Sequence, residues 1–210
     1  MRGVFILSSL YDIINYNKEF VASKKYVAFE TTKFPNKKMV ILSCMDTRLI
    51  ELLPKALNLK NGDAKIIKNA GAVVAHPFGS IMRSILIAIY ELKAEEVYVI
   101  GHLGCGMSDV NPESVISKMI DAGISEDTIN SLEYTGVDIN NWLHGFGCVY
   151  ESVRESVKSI KEHPLMPNVP VHGLIMDPST GGLELVVDGN NNLKSGSVIT
   201  LADLARIKNK

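Results

Sequence analysis

Residues Lys38 to Cys44 read KMVILSC and run directly into Met45-Asp46-Thr47-Arg48. A continuous apolar run without polar alternation suits a strand buried on both faces. Ala64 to Lys68 (AKIIK) and Val97 to Gly101 (VYVIG) have the same texture, and Val171 to Met176 is a weaker fourth run. Leu183 to Val187 follows across Pro178-Ser179-Thr180-Gly181-Gly182, a turn signal that predicts a hairpin and an antiparallel edge.

Helical periodicity separates these runs. Leu10 to Ser23 is amphipathic and predicts a helical N-terminal extension at about 9–24. Pro77 to Leu92 carries Ile81, Ile85, Leu86 and Ile89 on one stripe. Asn111-Pro112 supplies an N-cap and a proline at the first helical position. Asp138 caps a pattern extending to about Glu162, with Pro164 as its stop, and Cys148 lies inside it beside Trp142, Phe146 and Val149 as an expected core residue. Strands alternating with helices predict an α/β fold with a mostly parallel sheet flanked by helices. No linker, repeat or low-complexity tract divides the chain, so residues 1–210 read as a single domain.

Composition narrows the function. Of 210 residues, 22 are Lys or Arg and 23 Asp or Glu, a net charge of -1 that argues against a nucleic-acid binder neutralising many phosphates. The chain is 46% apolar and 21% charged, which excludes disorder. The apolar start, Gly3 to Leu7, is too short for a signal segment or for the ~20 residues of a membrane span. Three cysteines are too few, and odd in number, for a disulfide scaffold, which points to a reducing compartment and hence the cytoplasm.

In sheets of this kind, ligands gather outside the carboxyl ends of the strands. Cys44 ends the first run, and Gly101-His102-Leu103-Gly104-Cys105-Gly106 ends the third. Two thiolates and an imidazole are a favoured zinc set, and three protein ligands leave the fourth position open for chemistry. A cysteine at a strand end taken alone is more often packing than ligand, and H-x-x-C alone is a weak motif. Their convergence with an acid and a base favours a metal centre. Asp46 can accept a proton from water on the metal or take the fourth position itself. Arg48 can hold that carboxylate by charge-assisted hydrogen bonds. Two plainer readings remain: an exposed loop ion pair of little worth, and an anion-cradling cysteine loop, for which the Cys44–Arg48 spacing is short.

C-x-D-x-R at Cys44/Asp46/Arg48, Asn69-Ala70-Gly71, and G-H-x-x-C-G at Gly101/His102/Cys105/Gly106 together resemble the β-class carbonic anhydrases, in particular their short prokaryotic forms. The likeness spans nearly the whole chain, including Val171-His172-Gly173-Leu174. It implies a zinc lyase that reversibly hydrates carbon dioxide to bicarbonate. It further implies a sheet of order 2-1-3-4 with an added antiparallel edge strand, and a homodimer or higher homo-oligomer with its cleft near the interface and an N-terminal helix over the partner. By the same resemblance, Cys44, His102 and Cys105 hold zinc, Asp46 and Arg48 form the catalytic dyad, and Asn69, Ala70 and Gly71 lie beside the cleft. The chain departs from many short members at Gly104, where they carry Asp. Relatives hydrolyse carbon disulfide or carbonyl sulfide with the same zinc set, and a non-catalytic zinc-stabilised binding protein is the alternative from another class. His76, His144, His163 and His172 read as structural, and none is assigned as a proton shuttle.

Overall fold

The structure, a computed structural model, describes residues 4–190. Gly3 of the apolar start and residues 191–210 of the expected domain lie outside the described residues. Two compact units are distinguished, Met1–Lys33 and Phe34–Lys210. In the first, helix α1 (Val4–Ala22) is followed by a 3-10 turn at Lys25–Phe29. The Phe20 and Phe29 rings meet at 6.4 Å, and Lys25 Nζ lies 5.9 Å from the centre of the Tyr16 ring. Leu10, Ile13 and Ile14 of α1 are exposed.

The second unit is built on one five-stranded sheet. Its strands are β1 (Met39–Cys44), β2 (Ala64–Asn69), β3 (Glu96–His102), β4 (Val171–Met176) and β5 (Leu183–Val187), in the order β2-β1-β3-β4-β5. β1 pairs in parallel with β2 and β3, β3 pairs in parallel with β4, and β5 runs antiparallel to β4. This is the expected order and edge. The Pro178–Gly182 turn is closed by Asp177, whose carboxylate accepts from the Ser179 backbone N–H at 2.8 Å and from Thr180 Oγ1 at 2.8 Å.

Alternation along each strand sorts side chains between two faces. Val40 and Leu42 of β1, Val97 and Val99 of β3, and Val171 and Ile175 of β4 belong to one apolar layer. Helices α3 (Ser80–Tyr90) and α7 (Val149–Lys161) cover it with Met82, Ile85 and Ala88, and with Val153, Val157 and Ile160. Ile41, Ile100 and Met176 turn to the other face, against Leu49 and Leu53 of α2 (Leu49–Ala56). Gly101 and Gly173 let α7 approach the sheet closely: a Cβ at either would lie 2.8 Å from a methyl of Val153.

Between β3 and α7 lie α4 (Pro112–Asp121), α5 (Glu126–Tyr134) and α6 (Ile139–Leu143). Asn111 caps α4 as expected, its Oδ1 accepting from the Ser114 N–H at 3.1 Å. Three expectations are corrected. The pattern from Asp138 to Glu162 is not one helix: Asp138 does cap, accepting from Asn141 N at 3.0 Å, but α6 ends at Leu143 and α7 starts at Val149. Gly145 and Gly147 each cost about 1 kcal/mol in a helix interior. The Phe146 N–H donates instead to the Met107 carbonyl at 3.1 Å, which ties this loop to the segment after Cys105. Cys148 therefore sits at the N-cap of α7 and is exposed, not core. Finally, α3 starts at Ser80 rather than Pro77, because His76 to Gly79 close a turn (Gly79 N to His76 O, 3.0 Å). Among the described residues, no helix is long and apolar enough to cross a membrane.

Gly173→Ala puts a methyl into the α7 contact and is expected to cost about 1–3 kcal/mol in urea unfolding. Gly147→Ala, where a Cβ meets nothing within 4 Å, is expected to stay within about 0.5 kcal/mol of wild type. Equal stability for the two variants would contradict the close seating of α7.

His172 on β4 is buried, stacks on Tyr98 with ring centres 4.8 Å apart, and accepts the Gly189 N–H at Nδ1 (3.1 Å). Burial pushes its pKa down, with Asp188 and Glu96 opposing. Its folded pKa thus lies below the unfolded value of about 6.5, so the unfolded chain takes up this proton first as pH falls. Wild type should lose more stability between pH 7 and 5.5 than His172→Gln does. Parallel urea midpoints for the two proteins across that range would refute the assignment.

Candidate metal centre

Parallel pairing of β1 with β3 brings the ends of these strands, Cys44 and His102, to the same edge of the sheet. The chain then turns through Gly104, at φ +60°, and returns Cys105 to that edge. The Cys44 and Cys105 sulfurs are 3.8 Å apart, and one donor atom from each of Cys44, His102 and Cys105 lies within 4.8 Å of the others. All three residues are buried.

The donor set fits zinc. Sulfur ligands at about 2.3 Å on a tetrahedral ion stand about 3.8 Å apart, as this pair does. His102 Nδ1 faces the Leu103 carbonyl at 2.9 Å, so Nδ1–H donates there and Nε2 keeps its lone pair. That Nε2 is buried with no hydrogen-bond partner, as are His163 Nε2 and His172 Nε2, but among these His102 alone belongs to the cluster with the two cysteines. Burial pushes the Cys105 thiol up to about 11, a direction that a coordinated cation reverses by taking the thiolate.

Asp46 and Arg48 lie on the loop that leaves Cys44. The guanidinium grips the carboxylate in a fork, Nε to Oδ1 at 3.0 Å and Nη2 to Oδ2 at 2.8 Å, and the Arg48 backbone N–H adds a bond to Oδ1 at 2.9 Å. Arg48 Nη2 also donates to the Gly104 carbonyl at 3.0 Å, linking the two ligand-bearing loops. These Arg48 bonds hold the Asp46 carboxyl well below the usual carboxylate range, against the opposing effect of burial. Asp46 Oδ2 lies 3.7 Å from His102 Nε2. The structure therefore shows Asp46 on its arginine and facing the donor cluster, which is more than a loose surface pair.

The Asn69–Gly71 segment braces this arrangement. Gly71 N–H donates to Cys44 Sγ at 3.4 Å from a backbone at φ +81°, and a Cβ there would lie 2.7 Å from the Phe146 ring. The Asn69 side chain clamps the segment, donating to the Val73 carbonyl at 2.7 Å and accepting from the Val73 N–H at 3.2 Å. Ser108 Oγ donates to the Cys105 carbonyl at 2.7 Å. Of the other histidines, His163 and His172 are buried with Nδ1 committed to backbone N–H groups, while His76 and His144 are exposed.

Sequence reasoning missed Lys68, whose Nζ donates to Ser43 Oγ and to the Cys44 carbonyl, both at 3.1 Å. The available signal was a lysine at the end of the Ala64–Lys68 run, directly before Asn69-Ala70-Gly71. It also missed Met107 and Phe146, which pack against the cluster holding both cysteines. Their contacts depend on a loop that helical periodicity had concealed.

A sequence model of the carbonic anhydrase family matches residues 39–183. The Bacillus subtilis protein named "Putative carbonic anhydrase YtiB" is 58% identical over 187 residues, 89% of this chain and the whole of that protein. The carbon disulfide hydrolase of Acidithiobacillus thiooxidans is 26% identical over 175 residues, 79% of this chain and 85% of that protein. Among solved structures, the crystal structure of β-carbonic anhydrase isoform I from Trichomonas vaginalis superposes with a TM-score of 0.77 at 32% identity, covering 86% of this chain and 98% of that one. Motifs, strand order and likeness to these proteins agree, and the chain belongs to the β-carbonic anhydrase family.

Proposed function

We propose that this protein is a zinc-dependent carbonic anhydrase that interconverts carbon dioxide and bicarbonate. The observation that carries the reading is the Asp46 carboxylate, locked by Arg48 and presented 3.7 Å from the unpartnered His102 Nε2 beside two buried sulfurs. Cys44, Cys105 and His102 would hold the ion, which when bound supplies Lewis acidity toward water.

The remaining work falls to the chain's own residues. Asp46 stays ionised, because Arg48 satisfies Oδ1 twice and Oδ2 once. Its role is to accept a hydrogen bond through Oδ2 and so orient water for attack on the carbon of carbon dioxide. A carboxyl held this far below its ordinary range is a poor store for a proton. Arg48 is the anchor: its bond to Gly104 keeps the acceptor in register with the loop that carries Cys105. Gly104 contributes only its carbonyl, so an aspartate side chain at that position is not needed for this link.

The carbon disulfide hydrolase among the relatives makes hydrolysis of carbon disulfide the competing reading. Stopped-flow hydration of carbon dioxide, run beside a carbon disulfide assay on the same zinc-loaded sample, separates them. We further infer a homodimer or higher homo-oligomer, supported by the exposed apolar residues Leu10, Ile13 and Ile14 on α1. A cytoplasmic setting is supported by three free cysteines, two of them in the donor cluster.

Native mass spectrometry after reducing purification should show a dimer or larger assembly carrying one zinc per subunit. Cys44→Ser and Cys105→Ser should lose the metal, whereas Cys148→Ser should keep it. A metal-free wild-type protein would remove the basis of the reading.

Asp46→Ala should retain zinc but lose about 10²-fold in kcat, the cost expected of a misaligned reacting group. Arg48→Ala should retain zinc and also fall in kcat, because Asp46 loses its fork. Wild-type turnover in Asp46→Ala would contradict the role given to this carboxylate.

A further inference from the structure

Lys68 is the fifth residue of β2, half-buried, and aligned with Ser43 in the parallel β1–β2 register. Its ammonium reaches across to the neighbouring strand and makes two bonds there. One goes to the hydroxyl of Ser43, which is 0% exposed, and the other to the carbonyl of Cys44. Lys68 thus grips β1 at the point where it ceases to be a strand and becomes the Cys44–Arg48 loop. Among the described residues, no carboxylate lies within ion-pair distance of it.

Lys68 is one of two braces on the Cys44–Met45 peptide, and the one that takes its carbonyl. The Asn69 carbonyl accepts the Met45 N–H at 2.8 Å on the other side of that peptide, while the Asn69 side chain and Gly71 act on their own loop and on the sulfur, and Arg48 acts on the carboxylate. The Cys44 carbonyl lies between those two regions, and its orientation sets the direction in which the backbone enters Asp46. Charge adds to the geometry. Two thiolates balance a divalent ion and Arg48 balances Asp46, leaving Lys68 as a surplus positive charge behind Cys44.

We propose that Lys68 is a positioning residue for the metal centre, fixing the Cys44 carbonyl so that the Cys44 sulfur and the Asp46 carboxylate keep their relative placement. The inference rests on the zinc reading above. Groups that orient metal ligands from behind typically change metal affinity by about 10–100-fold when removed. Loss of Lys68 should therefore appear first in metal retention and in the geometry of the bound ion.

The test is zinc release from the intact oligomer into an excess of chromogenic chelator, with spectra of the cobalt-substituted protein. Lys68→Met, which keeps the aliphatic stem without donors, is expected to release zinc at least ~10-fold faster than wild type and to shift the cobalt bands. Lys68→Arg, which restores donors and charge, is expected within about threefold of wild type. Lys68→Met leaves the Ser43 hydroxyl buried without its partner, so Ser43→Ala/Lys68→Met serves as the control. Fast release persisting in the double variant assigns the effect to the Cys44 carbonyl, while wild-type release there assigns it to Ser43 and overturns the proposal. Wild-type release in Lys68→Met, or release from Lys68→Arg as fast as from Lys68→Met, also overturns it. If Lys68→Met does not fold, the comparison of Lys68→Arg with Lys68→Gln decides by the same criteria. Wild-type protein that binds no zinc would instead count against the zinc reading itself.

Discussion

The parallel register of β1 with its two neighbours is the constraint on which the rest depends. Along β2 it runs from Met39 opposite Ala64 to Cys44 opposite Asn69, and along β3 it sets Ser43 opposite Ile100. Strand ends held in this register arrive together, so a thiol, an imidazole and the brace at Asn69 share one edge. A slip by one residue would turn every β1 side chain to the opposite face. Ile41 would leave its place against α2, and Leu42 would lose its place in the layer covered by α3 and α7. The apolar layers therefore enforce the register, and the register assembles the site. No residue near Cys44 has to encode that assembly by itself.

A gradient of exposure follows from this placement. The donor residues are buried, the Asp46 side chain is 18% exposed at the lip, and Arg48, at 49%, reaches toward solvent. An ion pair this open contributes little to stability in general. Its value here is geometric, since a planar fork with a backbone N–H fixes both carboxylate oxygens and leaves one direction of Oδ2 free. The Gly104 carbonyl ties that fixed group to the second ligand loop.

What was legible in the sequence was whatever depends on short-range pattern. Buried parallel strands have no alternation, and KMVILSC and VYVIG lack it. The β4–β5 hairpin was announced by five turn-forming residues. The donor cluster could be read because Cys44 and His102 end strands and Cys105 follows His102 by three residues, where topology predicts convergence. What escaped depends on long-range contacts. Gly145 and Gly147 are a local sign of a break between α6 and α7, but that Phe146 gives its N–H to the Met107 carbonyl, and that Cys148 is thereby exposed, is not written locally. Lys68 was hidden for the same reason. A lysine at the end of a strand reads as a solvated charge until β1 is laid beside it and its two acceptors appear.

The grip of Arg48 also constrains how a proton can leave. Under the proposed reaction each hydration liberates one, and a group that accepts it must have a pKa near the working pH. Asp46 lies far below that range because Arg48 stabilises its charge. The arginine that aims the carboxylate thereby disqualifies it as a proton store. His102 has Nδ1 engaged with the Leu103 carbonyl and Nε2 among the donors, so it is not free to relay. His163 and His172 each hold a backbone N–H at Nδ1 in buried settings. Under that reaction the proton must therefore leave by a group other than Asp46, His102, His163 or His172. The same fork thus separates two tasks: it fixes the direction in which the carboxylate accepts a hydrogen bond, and it assigns proton storage to some other group.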